Sequence, residues 1–367
     1  MATMLDYLYW RGDVPFSCSP FNDVDNLILS EFSYLLLEKA MPEGGRMTVR
    51  DLHSALKDCP DAFGFIGQEN NRKMLALMGE GRRFCDTEVC FYLHETDVKM
   101  QKQFAAMTFL LQDGTAFVAF RGTDNTLVGW KEDFNMAYTF PVPAQVEALV
   151  YLARAAELFP LPLRVGGHSK GGNLAVYAAA YAAVEIQDRI LAVYSNDGPG
   201  MDEVTFQSLG YNNIVPRLRS IVPEFSIIGM LLHEHIKYQA VKSCASGLSQ
   251  HDPFSWCVQP EGFEKAEHLK PASIRIDEIL DSWLYDMTTD DRMALIEALY
   301  SLLNATKASK VEDLRGGALK NAGAILSVLR RMDGSSRHLV WEKLGGLVSV
   351  AVGGGKGEQE KAEPIVS

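Results

Sequence analysis

The chain has no excess of positive charge: 35 lysines and arginines stand against 47 aspartates and glutamates, a formal net charge of −12. Phosphate backbones bind to basic surfaces, so nucleic acid is excluded as a partner. Cysteine is sparse and scattered. Cys18, Cys59, Cys85, Cys90, Cys244 and Cys257 form no C-x-x-C and no regular spacing, which excludes a zinc site or a disulfide framework and reads as reduced thiols in a cytoplasmic protein. No run approaches the roughly 18 apolar residues of a membrane span, and MATMLDYLYWRGDVPF lacks a basic segment followed by an apolar one. An integral membrane segment and a leader are therefore not expected. No internal repeat is visible either. At 367 residues, 47% of them hydrophobic, the chain is long enough for one large core with an appendage.

The most informative stretch is Leu163 to Ala183, LRVGGHSKGGNLAVYAAAYAA. A short apolar run passes through Gly167-His168-Ser169-Lys170-Gly171 into an alanine-rich helix, the G-x-S-x-G pattern of a nucleophile elbow. A turn that lifts a serine hydroxyl above the strand ends needs positions without Cβ, which the glycines supply. Ser169 then stands at a helix N-terminus, where backbone N–H groups and the helix dipole favour an oxygen that gains negative charge.

The flanking pattern predicts an α/β sheet. Phe104–Leu111 and Thr115–Phe120 are strand-like runs joined by Asp113-Gly114, and a helix follows near Ala144 to Leu158. The elbow comes next, then Ile190–Ser195, Arg219–Val222, Tyr238–Ser243 and Phe254–Val258 as further strands. The alternation is that of a mostly parallel sheet flanked by helices. Before it, helices near Val24–Lys39, from a Thr48 cap, and at Asn70–Gly79 make residues 1–100 a helical lead-in, with 60–100 positioned to act as a lid. Residues 101–273 form the core. Residues 274–345 read as a C-terminal helical region, and 346–367 as a tail of disordered composition. The Arg11-Gly12-Asp13 triplet reads as a solvated loop.

A serine needs a base to remove its proton. Of eight histidines, His251 in Gln250-His251-Asp252-Pro253 follows the last parallel strand, where the order serine, acid, histidine places the base. His168 adjoins the serine on a sharp turn and packs or lines the pocket. His53 and His94 lie before the sheet proper, and His233 and His235 fall on different helix faces, against a shared metal. The acid must follow the elbow. Glu224 is the first choice and Asp197 the second, while Asp252 is too close to His251 in sequence to orient it readily.

Phe120-Arg121-Gly122-Thr123, then Trp130 and Asp133, then the elbow, resemble the class 3 lipases of the α/β-hydrolase superfamily. YWRGDVPFS, GHSKGGNLA, SNDGPG, VPEFSIIGMLL and QHDPFSW are more closely similar to the Mbeg1-like proteins, a related bacterial branch. The resemblance implies an α/β-hydrolase fold and a Ser-acid-His ester hydrolase, with Ser169 as nucleophile, His251 as base, and the Thr123 and Lys170 backbone N–H groups as oxyanion hole, the Thr123 hydroxyl assisting. It implies no cofactor and no metal, and a small-molecule or lipid ester as substrate. Two departures stand out. Lys170 replaces an apolar residue and brings a cation that would favour an anionic substrate or lower a neighbouring pKa. Ile221-Val-Pro-Glu-Phe-Ser226 holds no aspartate where the lipases place theirs, with Ser226 nearest, so Glu224 or Asp197 substitutes or the acid is missing. The alternative function is a catalytically weak or inactive hydrolase fold used for binding, its locally basic 275–345 region contacting an acidic partner protein or a membrane surface. Peptide or thioester hydrolysis would use the same parts.

Overall fold

The computed structural model describes residues 1–41, 44–64, 67–97, 99, 102–123, 140–231 and 237–275. Trp130, Asp133, His233, His235 and the helices expected beyond residue 275 lie outside them.

Eight strands form a single sheet in strict chain order: β1 (Arg46–Thr48), β2 (Glu88–Asp97), β3 (Lys102–Leu110), β4 (Ala116–Phe120), β5 (Leu163–His168), β6 (Ile190–Asn196), β7 (Leu218–Pro223) and β8 (Tyr238–Val241). The pairs from β1 to β4 are antiparallel, and those from β4 to β8 parallel. Along β3 and β4 the side chains alternate. Phe104, Ala106, Ala116, Val118 and Phe120 enter one hydrophobic cluster, and Met107, Phe109, Phe117 and Ala119 enter the other.

A sheet whose parallel strands advance in one direction, with crossovers of one hand, puts all its crossover helices on one face. That face carries Pro143–Leu158 between β4 and β5, Lys170–Tyr181 between β5 and β6, and Leu209–Ile214 between β6 and β7, packed through Ala148, Leu152, Leu174, Ala178 and Ile214. The opposite face must be covered from elsewhere. The N-terminal helices do this: α1 (Met4–Arg11), α2 (Asp23–Phe32), α3 (Val49–Leu56) and α4 (Gln68–Glu80) bury Tyr7, Leu27, Leu52, Leu75 and Met78 against it. The described residues among 1–97 therefore contribute buried side chains to one of the hydrophobic clusters and two strands to the sheet, rather than only a lead-in. The segment expected as a lid, 60–100, supplies buried α4 and β2, and His94 lies in the sheet. With α1–α4 assigned, the crossover helices are α5 (Pro143–Leu158), α6 (Lys170–Tyr181), the short α7 (Val184–Gln187) and α8 (Glu203–Phe206), and α9 (Leu209–Ile214).

Local chemistry sets the helix starts. Thr48 accepts from Asp51 N at 3.1 Å, the cap anticipated from the sequence. Asn22 caps α2 by accepting from Val24 N at 2.9 Å, and Asp25 returns a bond to Asn22 N. Asp25 is also fully buried and holds the Arg83 guanidinium at 2.5 and 2.7 Å; the same guanidinium donates to the carbonyls of Val14, Ser19 and Pro20. This saturated pair seats the Arg11–Phe21 turns on α2, so the RGD triplet is part of a packed connection. One expected strand differs. Residues 253–255 form a 3₁₀ turn started by Pro253, whose fixed φ and missing N–H favour a turn; after it Trp256 makes an isolated antiparallel bridge with Ser243, and Val258–Gln259 pairs with Gly262–Phe263.

Candidate functional site

Every sequence-predicted site residue lies just beyond the carboxyl end of a parallel strand. Thr123 follows β4, Ser169 follows β5, Asp197 follows β6, Glu224 follows β7, and His251 lies in the loop after β8. Open parallel sheets gather their ligand and reacting groups at that edge.

Ser169 sits at φ 56° and ψ −130°, between β5 and α6. An L-residue reaches this region only when the surrounding contacts over-determine it. Those contacts are close. A Cβ on Gly171 would fall 2.1 Å from the Phe120 carbonyl oxygen, and one on Gly167 would fall 2.3 Å from the Gly171 carbonyl carbon, so helix and strand approach only because both positions are glycine. Ser169 N donates to Asn196 O at 2.9 Å. Asn196 is gripped from the N-terminal face, exchanging amide bonds with Asn26 of α2 at 2.8 and 3.2 Å and donating to Gly167 O at 3.0 Å. On the other face Gln145 donates to Asn173, whose amide donates to Gly200 O at 2.7 Å. The side chain of Ser169 remains partly exposed between these anchors.

The 121–123 segment borders the elbow: a Cβ at Gly122 would stand 3.3 Å from Ser169 Cβ. Lys170 opens α6, and its N–H belongs to the positive end of that helix. Its ammonium does not face a substrate. The side chain is buried, with Nζ donating to Gln103 O and Oε1 at 3.0 Å each, so the expected cation beside the site is spent on β3.

His251 Nδ1 lies 2.6 Å from Asp197 Oδ2. Asp197 is buried and has φ 49°, a left-handed position that aspartate tolerates better than most residues. Its other oxygen, Oδ1, accepts from Ser226 Oγ at 2.5 Å, and Ser226 Oγ in turn accepts from Gly229 N at 3.1 Å. Glu224, the first choice from sequence, is not the partner of His251. Its carboxylate is 2.7 Å from Lys270 Nζ, and its backbone pairs with Val241 and Lys270. Asp252 caps the 3₁₀ turn by accepting from Phe254 N at 3.0 Å.

The loop that presents His251 is pinned along its length. Gln250 Oε1 accepts from Phe225 N at 3.0 Å, Trp256 Nε1 donates to Gln250 O at 2.8 Å, and His168 Nε2 lies 2.9 Å from His251 O. A carbonyl only accepts, so His168 carries its proton on Nε2. Around His168, Tyr34 OH is 3.3 Å and Glu31 Oε1 3.4 Å from Nδ1. Burial, then the neighbouring Asp252, push the Glu31 carboxyl well above its ordinary 4.5. Burial, then His251, hold His168 well below its ordinary 6.5. Both shifts favour the neutral forms of Glu31 and His168, and Glu31 Oε1 has no hydrogen-bond partner among the described residues. Ser226, Gln250, Asn26, Glu31 and Tyr34 are site residues that sequence reasoning did not assign. Their signals are weak, since single polar residues at buried helix or loop positions announce no chemistry.

The neutral state of Glu31 is measurable. Unfolded, it loses its proton near pH 4.5; folded, it keeps it well above that. The native state then binds one more proton than the unfolded state, and stability falls as pH rises. Glu31→Gln removes that titration and is expected to gain on the wild type by about 1.4 kcal/mol between about pH 5 and 6, read by urea unfolding at both values. A difference independent of pH would mean that Glu31 is ionised in the folded chain.

Among the described residues no group of three or more His, Cys, Asp or Glu is arranged to hold a metal ion, and no helix is long and apolar enough to cross a membrane. A family model described as Mbeg1-like matches residues 78–301. No curated protein matches the chain. Among solved structures, a Rhizomucor miehei lipase in complex with its propeptide is 15% identical with a TM-score of 0.33, the likeness covering 57% of this chain and 78% of that one. M37 lipase is 14% identical with a TM-score of 0.37, over 57% of this chain and 70% of that one.

Proposed function

The chain belongs to the Mbeg1-like family, and from that premise and the geometry above we propose that it is a serine hydrolase of carboxylic esters, working through an acyl-Ser169 intermediate. One observation carries the reading: a histidine holding a buried aspartate at 2.6 Å, at the same sheet edge as a serine on a strained strand-to-helix turn. A loop histidine with only a structural task has no need of a buried carboxylate on one ring nitrogen and a partly exposed ring on the other side.

Asp197 accepts from Nδ1–H, which leaves the Nε2 lone pair of His251 to take a proton. As Ser169 Oγ attacks the ester carbonyl carbon, its proton passes to Nε2 and the carbonyl oxygen becomes an oxyanion. The N–H groups of Thr123 and Lys170 are proposed to receive it, the second reinforced by the α6 dipole. Collapse of the tetrahedral species breaks the ester C–O bond, and the alcohol leaves with the proton from Nε2. Water then attacks the acyl-enzyme, gives its proton to His251, and the acid departs as Ser169 regains it. Asp197 stays ionised throughout and stabilises the imidazolium that forms twice in the cycle.

The test is labelling by a fluorophosphonate, which reacts only with an activated serine. We expect a single adduct, on the peptide containing Ser169, absent from Ser169→Ala. A wild-type chain that stays unlabelled beside a labelled control esterase would overturn the reading.

A further inference from the structure

His168 is a buried group of the site that the reaction itself does not use. It also lies between Tyr34 and Glu31 of the N-terminal face and the His251 carbonyl of the catalytic loop. Building on the serine-hydrolase reading, we infer that His168 is a positioning residue for His251, held as an Nε2–H donor by the Tyr34 hydroxyl at its other ring nitrogen.

The imidazole of His251 hangs from a loop rather than a strand, so two things must be fixed for Nε2 to meet a serine proton: the rotation of the ring and the place of the backbone that carries it. Asp197 fixes the first through Nδ1. The second needs a donor to the His251 carbonyl, and His168 Nε2 supplies it at 2.9 Å. The two rings lie 4.6 Å apart at 38°, and Trp256 stands edge-on to His168 with centroids 6.4 Å apart. Neighbouring positions on a sharp turn point apart, so placing the donor at 168 lets one turn of chain hold both the nucleophile and the mount of its base.

A histidine in this place has two ways to fail. The wrong tautomer puts a lone pair against the His251 carbonyl, and a protonated ring puts a cation beside the base and opposes its protonation. A donor at Nδ1 guards against the first, since the Tyr34 hydroxyl hydrogen-bonds the lone pair there. The groups facing the ring are Glu31 and Tyr34 from the N-terminal face and His251 and Trp256 from the loop, with Asp252 acting on Glu31. Burial disfavours the charged form.

The experiment compares wild type, His168→Leu and His168→Gln in the full chain, by fluorophosphonate labelling rate and by proton NMR of the low-field Nδ1–H of His251, assigned by its loss in His251→Ala. In His168→Leu, we expect labelling to slow about 100-fold, the cost of a displacement near 1 Å at a reacting group, and the low-field signal to be lost to exchange. Glutamine offers an N–H at a similar reach, so His168→Gln should label within about tenfold of wild type and keep the signal. A His168→Leu chain that keeps both the rate and the signal overturns the inference. So does a folded His168→Gln chain that loses both, which also decides the matter if the leucine variant does not fold. If the wild type shows the signal and loses it in His168→Leu but is never labelled, the positioning role stands and the hydrolase reading falls.

Discussion

Asp197→Asn is expected to slow hydrolysis of an activated ester such as p-nitrophenyl butyrate about 10⁴-fold, whereas Glu224→Gln should stay within a few-fold of wild type. The reason lies in which end of the new amide faces the histidine. Ser226 Oγ already accepts from Gly229 N, so its own proton is directed at residue 197. An asparagine there would give its carbonyl oxygen to Ser226 and turn its NH₂ toward His251 Nδ1. A donor facing Nδ1 makes that nitrogen the acceptor and moves the ring proton to Nε2, the atom that must take the proton from Ser169. The fold loses little, and the base is held in the wrong tautomer. Glu224 can lose its charge without this consequence, because its carboxylate meets Lys270, a partly exposed pair worth about 0–1 kcal/mol. Equal losses in the two variants, with unchanged circular dichroism, would remove Asp197 from its assigned role.

That contrast also marks where the sequence stops being legible. The elbow could be read because glycine at 167 and 171 leaves a local trace, and so could the strands around it, whose apolar runs are short and bounded by turns. The choice of acid could not. Asp197 and Glu224 each follow a strand and precede His251, and only the course of the loops decides which carboxylate arrives at Nδ1. A physical hint was present in Asn196-Asp197-Gly198, a carboxylate at a strand end in a stretch suited to positive φ. β2 was hidden for another reason: Phe91 adopts φ 50° and the register shifts between Cys90 and Leu93, which breaks the period-2 pattern, and the Tyr151 hydroxyl satisfies the Phe91 carbonyl exposed by the bulge. The N-terminal helices were found as helices but misplaced as a lead-in. Their position follows from strand order, since eight strands in sequence put the crossovers on one face and leave the other to be covered by whatever precedes them.

The largest effects are expected at Ser169 and His251, and their combination is more informative than either alone. Ser169→Ala and His251→Ala should each lower kcat by about 10⁶, and the double variant should be no slower than the singles. Attack and proton transfer belong to one step. Without the serine oxygen the base has nothing to activate, and without the base the hydroxyl keeps its proton, so removing the second partner takes away nothing that still acts. The activity left in all three should be alike, because it comes from binding and from donors aimed at the developing oxyanion, which neither substitution touches. Full-chain kinetics on the same activated ester, with each variant purified apart from host esterases, measure this directly. Losses that multiply in the double variant would mean that the two side chains act in separate steps, and a serine acting apart from His251 would need another base. The neighbouring imidazole cannot take that part: His168 is buried, its Nε2 proton is committed to the His251 carbonyl, and its Nδ1 faces Tyr34 and Glu31 rather than the elbow.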